Sequence, residues 1–306
     1  MNAKHIRFTN RDGQKLAARI DLPIDGKPGA YAIFAHCFTC TKNLKAVHNI
    51  NRALTRDGIA VMRFDFTGLG ESEGDFADTN FTTNVSDLVD AAGYLETEFA
   101  APQILIGHSL GGAAVLQAAG QIASAKGVVV IGAPANADHV LNHITGARKD
   151  IESKGEAEVQ LAGRPFRIKK QFIDDLESRQ MTDTISRLRR PLLILHSPID
   201  NTVSIDHAAQ IFKAAKHPKS FISLDRADHL ISVAADSQYA GAMIGAWAQK
   251  YLQIEGKPER DEAAENHRIV VSNAEAGYTT EIQARGHSLV ADEPVSAGGN
   301  NKGPNP

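Results

Sequence analysis

Between residues 30 and 250 the chain alternates two hydrophobic patterns. One is a set of short, continuously apolar runs: Ala30-Tyr31-Ala32-Ile33-Phe34-Ala35, Ile59-Ala60-Val61-Met62-Arg63-Phe64, Gln103-Ile104-Leu105-Ile106, Val128-Val129-Val130-Ile131 and Leu192-Leu193-Ile194-Leu195. Runs of this length, rich in β-branched residues, suit parallel strands buried on both faces. The other pattern has helical spacing, as in Leu44, Val47, Ile50 and Leu54, and again in Val85, Leu88, Val89, Ala92 and Leu95. Each set gives one apolar stripe to lay on a sheet. The alternation predicts an α/β fold, a mostly parallel sheet with helices on both faces.

The ends break this rhythm. His5 to Thr9 and Leu16 to Leu22, joined through Arg11-Asp12-Gly13-Gln14, read as a hairpin with an Asp-Gly turn. Between Ile131 and Pro191 the pattern predicts helices around Val140 and Ile173 and a hairpin within Val159 to Ile168. That stretch reads as a small cap insertion, about 133–190, over the carboxyl ends of the strands. The last core helix carries Ala240, Met243, Ile244, Trp247 and Tyr251. In residues 255–266 seven of twelve positions are charged, the mark of a linker. Beyond it, Ile269-Val270-Val271, Tyr278 to Arg285 and His287 to Ala291 read as three short strands, too few to bury a core of their own. The expected organisation is a domain over 1–253, a charged linker over 254–266 and an incomplete segment over 267–306.

Composition narrows the function. Of 306 residues, 42% are hydrophobic and 23% charged, ordinary values for a globular chain with a sizeable core. Lys and Arg total 33 against 36 Asp and Glu, a formal charge of -3, so no basic excess exists to neutralise phosphates and no nucleic-acid partner is expected. The charges of Met1-Asn2-Ala3-Lys4-His5-Ile6-Arg7-Phe8 precede no apolar run, and no apolar stretch reaches membrane-spanning length. Two cysteines make no disulfide scaffold. A cytoplasmic location, away from membranes, is the expectation.

The strongest chemical signal is Gly107-His108-Ser109-Leu110-Gly111, directly after the strand Ile104-Leu105-Ile106 and before a helix. A sharp strand-to-helix turn leaves no room for side chains two residues either side and lifts the serine to the mouth of the sheet. A serine hydroxyl needs a base and an orienter to act as a nucleophile. Asp200 follows the strand Leu192 to Leu195, and His229 follows the strand Phe221 to Leu224, in the order acid then histidine that this strand-turn-helix context requires. Asp206, Asp225 and Asp228 are weaker orienters; Asp228 adjoins His229, so its side chain points elsewhere. For an oxyanion hole, the amide of Leu110 is one donor and that of Phe38, in the loop Ala35-His36-Cys37-Phe38-Thr39-Cys40, is the other.

These residues resemble the α/β-hydrolase superfamily, in particular its small cytoplasmic esterase-like members. His36-Cys37-Phe38-Thr39 is similar to that family's His-Gly oxyanion loop, with Cys37 where glycine is usual. Phe64-Asp65-Phe66-Thr67-Gly68-Leu69-Gly70-Glu71-Ser72 is similar to its Asp-x-x-Gly-x-Gly-x-Ser loop, and His196 to Asp200 to its acid loop. The resemblance implies an α/β-hydrolase fold over residues 1–253 and hydrolytic chemistry without a cofactor or metal. A serine at 109 argues against the branches that carry aspartate there. The end of the chain, Gly286-His287-Ser288-Leu289-Val290-Ala291-Asp292-Glu293-Pro294 with Gly298-Gly299 and Gly303-Pro304-Asn305-Pro306, resembles the opening of an OsmC-like domain. That resemblance implies a truncated hydrolase–OsmC fusion and a homodimer formed through this segment.

Other features have plainer readings. Cys37-Phe38-Thr39-Cys40 falls in the oxyanion loop rather than at a thioredoxin-like helix start, so its cysteines read as small residues in a tight loop. Asp65 to Ser72 lacks the Lys-Ser/Thr ending of a phosphate loop and reads as scaffold. His108 reads as a packing residue, the Arg187, Arg189 and Arg190 cluster as a solvated face, and Phe166, Phe172 and Met181 as core. The expected function is a serine hydrolase for short- to medium-chain carboxylic esters acting through Ser109, His229 and Asp200. The alternatives are another acyl-transfer chemistry (thioester, amide or carbon–carbon cleavage) and a non-catalytic scaffold for a redox partner domain.

Overall fold

The apolar runs become strands whose side chains alternate between two cores. The computed structural model describes residues 2–24, 26–37, 41–161, 163–252, 254, 269–273, 277–284 and 287–304. The linker, apart from Ile254, lies outside the described residues. In chain order the strands of the main body are β1 (Asn2–Thr9), β2 (Lys15–Leu22), β3 (Ala30–Ala35), β4 (Ile59–Phe64), β5 (Ile104–His108), β6 (Gly127–Ile131), β7 (Glu156–Leu161), β8 (Arg164–Lys169), β9 (Leu192–His196) and β10 (Lys219–Ser223). Eight of them form one sheet in the order β1-β2-β4-β3-β5-β6-β9-β10. β2 runs antiparallel to both β1 and β4, and every pairing from β4 to β10 is parallel. The first two strands are the expected hairpin.

Helices α1 (Lys45–Arg56), α2 (Phe81–Glu98), α3 (Leu110–Ala118), α4 (Arg148–Lys154), α5 (Lys170–Glu177), α6 (Met181–Ser186), α7 (Ile205–Ala214) and α8 (Ala234–Gln249) cover the two faces. On one face, Val47, Ile50 and Leu54 of α1 and Ala240, Ile244 and Ala248 of α8 meet Phe34 of β3 and Val61 of β4. On the other, Phe81, Val85 and Leu88 of α2 and Val115 of α3 meet Ile33 of β3 and Met62 of β4. Neighbouring residues of a strand thus serve opposite cores, which is why these runs are apolar throughout. α1 and α8 approach closely at Gly241, where a Cβ would lie 2.8 Å from Ala53 Cβ and 2.9 Å from Ile50 Cα.

The chain leaves β3 into α1 on one face and leaves β5 into α3 on the other. The adjacent strands β3 and β5 therefore flank a topological switch, where loops diverge and a crevice opens at the strands' carboxyl ends. The insertion lies over the α2 and α3 side. Its hairpin pairs Glu156–Leu161 with Arg164–Lys169, and α5 covers Ile173 as expected. Ala137–His143, around Val140, is a 3-10 helix rather than an α-helix, and α4 and α6 are additional short helices. Toward the carboxyl end, β11 (Ile269–Asn273), β12 (Thr280–Ala284) and β13 (His287–Ala291) form a separate antiparallel sheet. Among the described residues no helix is long and apolar enough to cross a membrane.

Candidate active site

The turn from β5 to α3 is set by sterics. A Cβ on Gly107 would lie 2.3 Å from the Gly111 carbonyl oxygen, and one on Gly111 would lie 2.4 Å from that of His36. Neither contact is tolerable, so both positions need glycine. Ser109 itself takes φ 56° and ψ −127°, an unfavourable conformation for a non-glycine residue, with its amide donating to the Ile131 carbonyl at 2.9 Å. Leu110 is the first residue of α3, so its N–H has no carbonyl one turn back to bond.

Asp200 and His229 arrive from β9 and β10, on the far side of β6. The His229 Nε2 is 3.0 Å from Ser109 Oγ, and its Nδ1 is 2.7 Å from Asp200 Oδ2. The second carboxylate oxygen, Oδ1, accepts from the amides of Thr202 at 2.8 Å and Val203 at 2.9 Å. Burial works to raise the Asp200 pKa, but the His229 hydrogen bond and these amides outweigh it and hold the carboxyl below its ordinary range. Because Asp200 is ionised, Nδ1 of His229 carries the proton and Nε2 is left to accept from the serine hydroxyl. Gly132 lies beside this pair in the left-handed region, at φ +53°, which favours glycine; a Cβ there would make only ordinary contact, 3.4 Å, with Asp200 Oδ2 and His229 Nδ1. Asp228 is turned away, accepting from Ser232 N at 2.7 Å and from its hydroxyl.

Three side chains to which the sequence reading gives no holding role, His108 among them as a packing residue, hold these loops. His196 is buried at the end of β9 and donates from Nε2 to the Val203 carbonyl at 2.8 Å, closing the loop that presents Asp200. His108 is buried beside the serine and donates from Nε2 to the His229 carbonyl at 2.7 Å, so it does more than fill space. Lys42, also buried, bonds Asp65 and Glu71 where the chain re-emerges from the loop after β3. Long-range pairing of this kind leaves no local pattern in a sequence. Burial pushes the His36 and His196 pKa values down, and burial with the neighbouring His229 pushes that of His108 down to about 3.

Phe38 and Cys40 lie outside the described residues. His36, at the start of the same loop, donates from Nδ1 to the Cys37 carbonyl at 2.8 Å. Cys37 is disulfide-bonded, a departure from its reading as a small loop-filling residue. Next to it, Phe66, Leu69, Phe76, Asn84, Leu110 and Ala114 line a cavity of about 10 Å³, room for one water-sized group. Phe166 and Phe172 of the insertion back Phe76, with ring centroids at 5.0 and 6.2 Å, and do not line this space; Met181 is buried. Among the described residues no group of three or more His, Cys, Asp or Glu side chains is placed to hold a metal ion.

Known proteins share this architecture. The chain is 50% identical in sequence to the esterase domain of a Rhodothermus marinus protein, whose crystal structure covers 82% of this chain and is itself covered completely, with a TM-score of 0.67. It is 29% identical over 188 residues to the mitochondrial palmitoyl-protein thioesterase ABHD10 of Mus musculus, matching 58% of this chain and 62% of that protein. The uncharacterized protein YfhR of Salmonella typhi is 23% identical over 229 residues, covering 74% of this chain and 75% of its own length. The profile of the alpha/beta hydrolase family matches residues 32–294, most of the chain. The chain therefore belongs to the alpha/beta hydrolase family.

Proposed function

We propose that this hydrolase cleaves carboxylic esters through an acyl-enzyme formed on Ser109. The observation that carries the reading is the continuous hydrogen-bonded path from Ser109 Oγ to His229 Nε2, at 3.0 Å, and from His229 Nδ1 to Asp200, at 2.7 Å. Ser109 Oγ attacks the ester carbonyl while His229 Nε2 takes its proton. The imidazolium, held by the ionised Asp200, returns that proton to the departing alkoxide as the carbon–oxygen bond breaks. Water, deprotonated by His229, then attacks the acyl-enzyme and releases the carboxylic acid and Ser109. The amides of Leu110 and Phe38 are assigned to the oxyanion, each worth about 3 kcal/mol in the transition state.

The 50% identity to an esterase domain supports an ester substrate. A thioester is the second reading, favoured by the identity to a palmitoyl-protein thioesterase. It uses the same residues with a thiolate leaving group. A non-catalytic scaffold has no need for a serine held in a strained turn 3.0 Å from a histidine.

The test is hydrolysis of p-nitrophenyl esters from acetate to octanoate, with matched acyl thioesters, by the native chain and by Ser109→Ala. Activity on the short esters that vanishes in the variant is the expected result. Equal rates in both proteins would sink the mechanism, and a preference for thioesters would transfer the assignment to the second reading.

A further inference from the structure

His108 is a buried titratable side chain that the reaction above leaves without a task. Its Nε2 lies 2.7 Å from the His229 carbonyl oxygen, and since a carbonyl only accepts, that nitrogen carries the imidazole's proton. The two histidine rings pack against each other in a tilted arrangement, with centroids 5.0 Å apart and planes at 40°. We propose that His108 is a positioning residue for the general base, holding the backbone of His229 at the distance from which its imidazole reaches Ser109.

This role for His108 rests on the triad reading and on three further features. First, His108 immediately precedes Ser109. The bond to the His229 carbonyl therefore joins the nucleophile's own backbone to that of the base, and the Ser109–His229 hydrogen bond closes a small ring. Motion of one catalytic group carries the other with it. Second, the loop bearing His229 is not a relaxed turn: Ile231, two residues on, is buried at φ +51°. A β-branched residue keeps that conformation only where its surroundings over-determine it. Asp228 holds the loop on one side, through Ser232, and His108 holds it on the other. Third, His108 stays uncharged, because burial pushes its pKa down to about 3. A neutral donor steadies His229 without repelling the imidazolium that forms on it.

The experiment compares His108→Phe, which keeps a flat ring without the donor, with His108→Gln, which restores an N–H, in the full chain. The Phe variant is expected to lose about tenfold or more in kcat on p-nitrophenyl acetate with KM nearly unchanged, because misplacement of a base affects the chemical step more than binding. The Gln variant is expected to recover most of that loss, which a purely structural defect would not allow. Native kcat in the Phe variant, or a Gln variant as impaired as the Phe one, overturns the proposal. Should neither variant fold, ¹⁵N NMR of the native imidazoles decides. A proton on His108 Nε2 supports the assignment, and one on Nδ1 refutes it. Fluorophosphonate labelling that persists in Ser109→Ala would instead remove the triad reading, and this proposal with it.

Discussion

The ammonium of Lys42 lies 2.5 Å from the carboxylate of Asp65, and both side chains are almost fully buried. Asp65 also accepts the Lys42 amide at 2.8 Å through its other oxygen, while Lys42 Nζ reaches Glu71 at 2.7 Å. The Lys42 carbonyl accepts from Arg63, whose Nε lies 3.1 Å from the buried Asp21. The chain thus leaves the loop after β3 on a post built from the end of β4. Taking two charges out of water is costly, and the attraction offsets that cost only because the remaining donors and acceptors are also paired.

Removing one partner should therefore be expensive. Lys42→Met is expected to lower the unfolding free energy by about 3–5 kcal/mol, because Asp65 is left as an uncompensated buried charge. Adding Asp65→Asn to Lys42→Met should restore part of the loss. Urea titration of the two variants checks this, and additive costs would contradict it.

The tight turn at Ser109 can be tested with two glycines, one crowded and one open. Gly111→Ala places a methyl 2.4 Å from the His36 oxygen and 2.5 Å from that of Ala35, both backbone atoms with no slack. A loss of about 1–3 kcal/mol or more is expected, with hydrolase activity falling as α3 is pushed from β3. Gly120, with nothing within 4 Å of its Cβ position, should accept alanine without loss. Thermal melts of both variants decide between them.

Stability should also depend on pH with a definite sign. His108, His36 and His196 are held neutral in the folded chain, chiefly by burial, whereas in the unfolded chain they take protons as pH falls through about 6.5. Their contribution is complete above that value and is lost as pH falls, for His108 down to about 3. Each such proton contributes a slope of about 1.4 kcal/mol per pH unit. Asp87 opposes them: burial raises its pKa to about 6, so its contribution declines as pH rises from the ordinary carboxyl range to that value. The expected net result is lower stability at pH 5 than at pH 7.5. His108→Gln should flatten the dependence by one proton, as measured by urea unfolding at the two pH values.

Helix α2 offers a local test. Asn80 Oδ1 accepts from the Thr83 amide at 2.9 Å, and Thr83 Oγ1 accepts in return from the Asn80 amide at 3.3 Å. This reciprocal cap is worth about 1 kcal/mol, so Asn80→Ala should lower the melting temperature measurably while Asn80→Asp stays near native.

Much of this was readable along the chain because the signals are local. Continuous apolar runs mark β3, β4, β5, β6 and β9, since a strand between two helical layers has no polar face to show. The glycines at 107 and 111 mark the turn at Ser109, because backbone crowding there admits nothing larger. Asp200 and His229 announce themselves by following strands, and parallel strands place all such loops at one edge. The insertion was less legible: its short helices carry little periodicity, and Ala137–His143 settles into a 3-10 rather than an α-helix.

The sequence by itself therefore determined the layered α/β architecture and the order of the chemical groups, through periodicity, steric need for glycine and strand-end position. Tertiary structure alone decided how those groups are held. That His108 grips the carbonyl of a residue 121 positions away, that Lys42 is buried against Asp65, and that His196 closes the acid loop depend on which strands lie side by side. Each is a polar contact made where water is excluded. Its energy comes from that exclusion, which exists only once the sheet and its covering helices have packed.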